Sequence, residues 1–274
     1  MERINNSEKG MIGISMKKII IGVATHKKYQ MPDDSMYLPV QSGSYFNSED
    51  LGYSRDDVGS NISEKNKNYS ELTALYWIWK NVSADYKGLA HYRRHFTKNN
   101  NASIFTQGTF SEVLDRKTLD SKLEKADIVL PKKRNYYIET IESHYNHTHY
   151  PQDLVVTRKV LEKLYPDYVA MYDEVLNRKS AHMFNMFIMS EEKFNDYCEW
   201  MFSILFALEE ELDISEYNAF HARVFGRVSE ILLDVWIDKN NYSYEEIPVI
   251  FMENRSWLEK GTKFLKAKFM TIRY

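Results

Sequence analysis

Two arginines and two histidines lie within five consecutive residues of this chain, His91-Tyr92-Arg93-Arg94-His95. They overlap the end of a buried strand that the apolar pattern predicts from Tyr86 to His91. Arginine presents fixed pairs of donors to phosphate oxygens, and open α/β sheets bind ligands at the carboxyl ends of their strands. The run therefore predicts a phosphate-binding site, with one arginine facing the ligand because side chains alternate along a strand. An ion-paired surface is the alternative.

A second group of polar side chains precedes a predicted amphipathic helix, which Asn68 would cap and which would run to about Asn81. Asp and Asn can bind nucleobase edges and ribose hydroxyls, and amides also suit sugar hydroxyls. The same residue types form turns and caps, so a structural role is the alternative. Thr25-His26, directly after a predicted strand, is placed to contact a nucleotide. The group comprises Asp57, Asn61, Ser63 and Asn66.

Four charged side chains share one face of a helix predicted from Phe220 to Asp238, opposite its apolar stripe. A solvated, salt-bridged face is the simplest interpretation. If the face lines a cleft, Glu230 is a candidate base for a hydroxyl proton and Arg223 a candidate phosphate or substrate contact. Asp153 and His149 are rival candidates for the base. The four side chains are Arg223, Arg227, Glu230 and Asp234.

Three histidines, His144, His147 and His149, stand in His-x-x-His-x-His spacing. Imidazoles this close can hold a transition metal, which would suit a metal-dependent hydrolase. No cysteine or acidic residue completes an obvious ligand set nearby in the sequence. Contact with a substrate, or a plain polar surface, is therefore the alternative interpretation.

The composition narrows the class of protein. The 274 residues are 43% hydrophobic, enough for one full-sized domain, and the net charge of -3 argues against a nucleic-acid binder. The single cysteine, Cys198, excludes a disulfide framework and fits a reducing compartment. Aromatic residues make up 14% of the chain and suit the faces of sugars and nucleosides.

Several common signatures are missing from the sequence. It contains no Gly-x-Gly-x-x-Gly, phosphate loop, His-Glu-x-x-His or Cys-x-x-Cys motif. It also lacks Asp-x-Asp, a pair that can hold Mg²⁺ or Mn²⁺ against a diphosphate. Other groups would have to neutralise a diphosphate ligand, and the arginines are the candidates.

Buried apolar runs alternate with amphipathic segments over the first two thirds of the chain, and the last third reads as mostly helical. This order predicts an α/β fold with a mainly parallel central sheet. Asn68 and Glu71 stand in capping-box spacing, and Ser190 is placed to cap a long helix. The predicted strands are Ile19–Ala24, Tyr86–His91, Asp127–Leu130 and Asn185–Met189.

The two ends of the chain differ from its middle. We expect the polar residues 1–15 to form a disordered leader and residues 16–256 to form one domain. Residues 257–274 form a basic, aromatic tail that suits anionic lipid headgroups, although a solvated helix fits it equally well. Without a long apolar run or a signal-peptide pattern, we expect a cytoplasmic protein, peripheral to the inner face of the plasma membrane.

Motifs in a fixed order from about Lys18 to Glu253 resemble a known family. The chain is similar to bacterial polysaccharide-assembly glycosyltransferases long catalogued as domain of unknown function 4422. The motifs are Asp57-x-Gly59-x-Asn61-Ile62-Ser63, Glu71-Leu72-Thr73-x-x-Tyr76-Trp77-x-Trp79-Lys80-Asn81, Gly88-Leu89-x-His91-Tyr92-Arg93-Arg94, Leu130-Pro131, Tyr145–His149, Asn185–Met189 and Arg223–Trp236.

The resemblance implies a GT-A-like domain that transfers a hexosyl group from a UDP-sugar with inversion. Because family members include a β-galactofuranosyltransferase, UDP-galactofuranose is the first donor to expect. The implied acceptor is a lipid-linked glycan in capsule, O-antigen or exopolysaccharide synthesis. No metal cofactor is expected to be required, with Mg²⁺ or Mn²⁺ as the alternative.

The resemblance also suggests roles for individual residues. Thr25, His26 and the group from Asp57 to Asn66 would bind the nucleoside, and His91, Arg93 and Arg94 the diphosphate. Asn185 would contact the transferred sugar, with Glu230 or Asp153 as base. A non-catalytic glycan-binding module is a further alternative, and it predicts sugar binding without affinity for UDP.

Overall fold

The computed structural model describes residues 17–102 and 107–253. Five short 3-10 turns accompany the helices and strands of this part of the chain. The strands are β1 (Ile19–Thr25), β2 (Tyr37–Gln41), β3 (Ser54–Arg55), β4 (Tyr86–His91), β5 (Arg94–Phe96), β6 (Ile128–Pro131), β7 (Arg134–Asn135), β8 (Ser180–Ala181), β9 (Phe187–Ser190), β10 (Glu245–Ile247) and β11 (Val249–Phe251). The helices are α1 (Asn66–Tyr69), α2 (Leu72–Asn81), α3 (Arg116–Leu123), α4 (Ile141–Thr148), α5 (Pro151–Leu164), α6 (Val169–Asn177), α7 (Glu191–Glu211) and α8 (Val224–Lys239).

The central sheet has the strand order β10-β6-β9-β4-β1-β2-β3, with β5 joined to β4 and β11 to β5. Strand β1 runs parallel to β2 and β4, β2 to β3, and β10 to β6. Strand β9 is inserted antiparallel between β4 and β6. The predicted α/β class with a mainly parallel sheet is confirmed, although β9 makes the sheet mixed.

The register of the sheet brings the carboxyl ends of three strands to one edge. Ala24 pairs with His91 and Thr25 with Gln41, so β1, β2 and β4 end side by side. On its other side β4 packs closely against β9: a Cβ on Gly88 would lie 2.5 Å from the carbonyl oxygen of Phe187. The residues that follow these strands must therefore meet at the same edge.

Helices cover both faces of the sheet and bury its apolar side chains in two clusters. The inward stripe predicted for α7, from Phe194 to Leu208, is buried, as is the stripe of α8 from Val224 to Trp236. Full burial of one large apolar side chain stabilises the fold by roughly 1.5–3 kcal/mol. Cys198 lies within this core, as its place on the stripe predicts.

Three local predictions were wrong. Asn68 does not cap α2; its amide donates to the carbonyl of Ala222, and the chain turns at Ser70 with φ 52° before α2 begins. Ser190 precedes α7 without a side-chain capping hydrogen bond. Asn185 lies before β9 with φ 52°, a left-handed conformation that a strand does not accommodate.

The expected leader at 1–15 and the basic tail at 257–274 lie outside the described residues, so both stay predictions. Within residues 17–102 and 107–253, no helix combines the length and apolar composition needed to cross a membrane.

Candidate functional site

A cavity of about 780 Å³ opens at the edge where β1, β2 and β4 end. His26 follows β1, Ser42 follows β2 and His91 ends β4, so the sheet register places all three on its wall. Its volume suits a drug-sized or nucleotide-sized ligand. The lining residues are His26, Ser42, Asn66, Lys67, Asn68, Ser70, Glu71, His91, Tyr92, Arg93, Arg94, Ala219, Ala222 and Arg223.

Both adjacent arginines line the cavity, contrary to the expectation that only one would. Alternation does not apply because Tyr92 and Arg93 form the turn between β4 and β5. Arg94 is half-buried with its guanidinium 4.7 Å from the ring centre of Phe184. Among the described residues no carboxylate forms a direct ion pair with it, whereas Arg93 lies 3.7 Å from Glu253. Arg94 is therefore a cation available to an anionic ligand.

The two histidines on the cavity wall are neutral near pH 7. Burial, reinforced by Arg94 and Arg93, lowers the pKa of His91 to about 2. Its Nδ1 accepts from the backbone N–H of Arg93 at 3.2 Å, so the neutral ring carries its proton on Nε2. Burial and the charge of Arg93 also lower the pKa of His26. Both can serve as neutral hydrogen-bonding groups.

Glu71 and Asn185 form a pair that the sequence analysis did not anticipate. The Asn185 amide donates to Glu71 Oε1 at 3.0 Å and to the carbonyl of Gly226 at 2.9 Å. Its oxygen accepts from the hydroxyl of Ser229 at 2.8 Å. Asn185 is only 3% exposed and holds Glu71 on the cavity wall, and its expected contact with a sugar stays a prediction.

Glu230 lies on α8, partly buried and outside the cavity wall formed by the described residues, but within electrostatic reach of Glu71 and Arg94. Burial raises its pKa to about 7, the charge of Glu71 adds to the rise, and Arg94 opposes it. A carboxyl with that pKa exchanges its proton near neutral pH, as a general acid or base must.

The solvated helix face expected around Glu230 is only partly present. Arg223 is exposed on the cavity wall. Asp234 is instead 1% exposed and accepts from the backbone N–H of His182 at 3.1 Å. Packing of α8 against the segment before β9 buries that end of the face.

The polar group expected to bind a nucleoside divides into two sets. Asn66 lines the cavity, and its amide donates to the carbonyl of Ser70 at 2.8 Å. Ser63 is buried, and its hydroxyl donates to Asp56 at 2.6 Å. Asp56, fully buried, also accepts from the backbone of Gly43 and Ser44 and from the hydroxyl of Thr73. Asp56 therefore organises this loop.

Asp57, Asn61 and Thr25 have structural partners and lie outside the cavity wall formed by the described residues. Asp57 pairs with Arg55 at 2.7 Å, which holds the pKa of Asp57 below its usual value. Asn61 closes its own turn by donating to the carbonyl of Gly59 at 2.8 Å. The hydroxyl of Thr25 donates to the carbonyl of Lys27 at 2.7 Å. For these residues, and for Ser63, the turn-forming alternative describes what the structure shows.

Asp153 and His149 belong to a separate cluster of hydrogen bonds and ring contacts. Asp153 is buried and accepts from the hydroxyls of Tyr145 at 2.8 Å and Tyr217 at 2.6 Å. Burial raises the pKa of Asp153. His149 packs 5.5 Å from Phe220 between ring centres, and burial with the charge of Arg227 lowers its pKa to about 3. Neither residue is on the cavity wall formed by the described residues.

The metal-site hypothesis gains no geometric support. His144 and His147 each place Nδ1 2.9 Å from the carboxylate of Glu139, a partner that sequence proximity did not reveal. His149 contacts the rings of Tyr145 and His221 instead. In the described part of the chain, no three His, Cys, Asp or Glu side chains are arranged to hold a metal ion.

One solved structure, described as the apo structure of the bifunctional glycosyltransferase WbbM, is similar to this chain at 31% identity and a TM-score of 0.77. The match covers 86% of this chain and 46% of that one, so this chain spans less than half of that protein. The GT-A-like α/β class is confirmed by this likeness. No curated protein matches the chain.

The family comparison covers the same region as the sequence motifs. The model of the family described as Domain of unknown function (DUF4422) matches residues 19–241, which hold every cavity residue. The chain therefore belongs to the DUF4422 family.

Proposed function

We propose that the chain is a glycosyltransferase that binds a UDP-sugar in this cavity and transfers its hexosyl group. The observation that carries the proposal is Arg94, a half-buried cation on the wall without a direct ion pair among the described residues. Arg93 and Arg223 share that wall, and a diphosphate is an anion that such a group of guanidiniums binds well. The likeness to a solved glycosyltransferase over 86% of the chain supports this assignment.

We propose that different parts of the cavity wall bind the nucleoside and the diphosphate of such a donor. His26, Ser42 and Asn66 offer hydrogen bonds for a nucleoside where β1 and β2 end. The arginines supply the positive charge that a divalent cation supplies in many diphosphate sites. We propose that binding needs no metal; a strict requirement for Mg²⁺ or Mn²⁺ would contradict this arginine site.

Transfer to a hydroxyl requires a base near the sugar end of the donor. Of the two carboxyls expected for this role, Asp153 is held by two tyrosine hydroxyls away from the cavity, whereas Glu230 lies near Arg94. We propose a single displacement with inversion at the anomeric carbon. The geometry favours a base beside Arg94.

Finer features of the proposal come from the family resemblance. We propose UDP-galactofuranose as donor and a lipid-linked glycan of capsule, O-antigen or exopolysaccharide synthesis as acceptor. Such an acceptor would place the enzyme in the cytoplasm at the inner face of the plasma membrane. The basic tail, outside the described residues, would contact anionic lipid there.

Calorimetric titration with UDP, in EDTA and then in Mn²⁺, tests the proposal. We expect metal-independent binding that Arg94→Ala weakens about 10- to 100-fold, because hydrogen bonds to charged groups contribute about 1.5–3 kcal/mol. Arg158→Ala is the control, because Arg158 pairs with Asp173 on α5 and α6, away from the cavity wall. Absence of UDP binding in both conditions would contradict the proposal and favour a glycan-binding module.

A further inference from the structure

Two carboxyls and one arginine meet where the cavity wall joins α8. Glu71 lies on the wall, and Glu230 is partly buried on α8 directly after Ser229, which binds the Asn185 that holds Glu71. The charges of both carboxyls act on Arg94, and the charge of Glu71 acts on Glu230. One guanidinium neutralises only one carboxylate, so the group carries an excess negative charge when both are ionised.

The two carboxyls are not equivalent in their surroundings. Glu71 Oε1 is held by the Asn185 amide, and no hydrogen bond from the described residues reaches its second oxygen. Asn185 is itself fixed by Gly226 and Ser229 of α8, so the orientation of Glu71 is set by a chain of buried contacts. A carboxylate that is held on a cavity wall through one oxygen, with no hydrogen bond from the described residues to the other, is placed to accept a proton from a ligand.

Backbone strain is concentrated around this pair. Among the described residues, five non-glycine positions have positive φ, and Ser70, Phe184 and Asn185 are three of them. Ser70 directly precedes Glu71, Asn185 holds it, and Phe184 lies under Arg94. Each such residue costs of order 1–3 kcal/mol and persists only where its surroundings impose it. The fold thus keeps the arrangement of Glu71 and Arg94 at a cost in local stability.

We propose that Glu71 is the base of the transfer and that Glu230 is its proton-bearing partner, with Asn185 as a positioning residue. This inference rests on the proposed function. The acceptor hydroxyl gives its proton to the open oxygen of Glu71, and its oxygen forms the new bond to the anomeric carbon. The bond from that carbon to the β-phosphate oxygen breaks, and UDP leaves with the electron pair. A protonated Glu230 keeps the excess charge away from the diphosphate.

The groups facing Glu230 set the direction of its pH response. Glu71 favours its protonated form, whereas Arg94 and Arg134 favour the ionised form. Glu230 also acts on Tyr136 and Arg227 through its charge. With a pKa of about 7, Glu230 gains charge beside the diphosphate as the pH rises through neutrality. Affinity for UDP should therefore decline over that range.

The first arm of the test measures UDP affinity by calorimetry from pH 5.5 to 8.5. Wild-type protein and Glu230→Gln are compared, so that titration of UDP itself cancels in their difference. We expect wild-type affinity to decline severalfold relative to Glu230→Gln as the pH rises through about 7. Parallel profiles would show that Glu230 is not a proton-bearing partner of this site.

The second arm measures UDP release from UDP-galactofuranose, with water or octyl β-galactoside as acceptor. We expect Glu71→Gln to lose at least about 100-fold in turnover, which is the usual contribution of a general base. Its affinity for UDP should stay within about threefold of wild type. Asn185→Ala should lower kcat with little change in the donor KM, and Glu230→Gln should be intermediate. Glu64→Gln is the control, because Glu64 is exposed and off the cavity wall.

The outcomes separate the two proposals. Wild-type protein that binds no UDP would contradict the proposed function itself. UDP binding with full turnover in Glu71→Gln, or loss of turnover in Glu230→Gln alone, would overturn the assignment of Glu71 while leaving the transferase intact. A thermal melt of each variant distinguishes lost turnover from lost folding.

Discussion

Asp56 and Glu71 are acidic residues in the same stretch of chain, yet their surroundings differ completely. Asp56 is fully buried, and four donors from the backbone and from hydroxyl groups occupy its two oxygens. Glu71 faces a cavity with one oxygen held by Asn185. A carboxylate whose two oxygens are both occupied by hydrogen-bond donors holds a loop together. A carboxylate that lies at a cavity with only one oxygen occupied can act on a ligand.

The largest effect should follow from removing Asp56, the carboxylate whose two oxygens are both occupied by hydrogen-bond donors. Asp56→Ala should lower the free energy of unfolding by about 3–5 kcal/mol, since four buried donors lose a charged acceptor. Urea denaturation monitored by circular dichroism measures the loss. Asp57→Ala is the neighbouring control and should cost no more than about 1 kcal/mol, because the Arg55–Asp57 pair is partly exposed. Equal losses of unfolding free energy in Asp56→Ala and Asp57→Ala would contradict the structural role of Asp56.

A smaller effect should appear in the pH dependence of stability. The pKa of Glu230 rises from 4.5 to about 7 on folding, so its protonated form favours the folded state. That stability is present below about pH 4.5 and is lost as the pH rises through 7. Relative to Glu230→Gln, wild type should therefore lose at most about 3 kcal/mol over this window. Denaturation at several pH values measures this loss of stability. A gain in stability with rising pH would contradict the raised pKa of Glu230.

The smallest effect should come from the carboxylate held by two tyrosines. Asp153→Asn should change UDP affinity and turnover less than twofold, because Asp153 lies outside the cavity wall. Its free energy of unfolding should fall by about 1 kcal/mol, since the amide keeps one acceptor for the tyrosine hydroxyls. Calorimetry and denaturation measure the two quantities. A large loss of turnover would make Asp153 the base that the sequence also allowed.

The local elements were predictable wherever the periodicity was strong. Strand β4 has the predicted bounds, and helix α2 ends at Asn81 as predicted but begins at Leu72 instead of directly after Asn68. An uninterrupted apolar run, or an apolar stripe at i, i+3 and i+4, identifies the element and the side that it buries. Helix α4 was not predicted, since its polar and aromatic residues form only a weak stripe. Strand β9 begins after its predicted start because Asn185 has a left-handed conformation, which the amino-acid composition does not predict.

The candidate site was predicted in part. His26, Asn66, His91, Arg93, Arg94 and Arg223 do line the cavity. Residue type alone could not separate them from Ser63 or Asn61, because capping and ligand binding use the same hydroxyls and amides. The signal in the sequence that could have found Glu71 is its place as the first residue of the motif Glu71-Leu72-Thr73.

The sequence by itself determined the family, the α/β class and the cation-rich end of β4, because motif order, hydrophobic period and residue charge are local properties of the chain. The tertiary structure decided which carboxylates have hydrogen-bond donors on both oxygens and which have a donor on only one. Asn185 reaches Glu71 across 114 positions of sequence, and the charge of Glu71 acts on Glu230 of α8. Hydrogen-bond completeness and pKa depend on such distant neighbours, so only the folded chain distinguishes a structural acid from a reactive one.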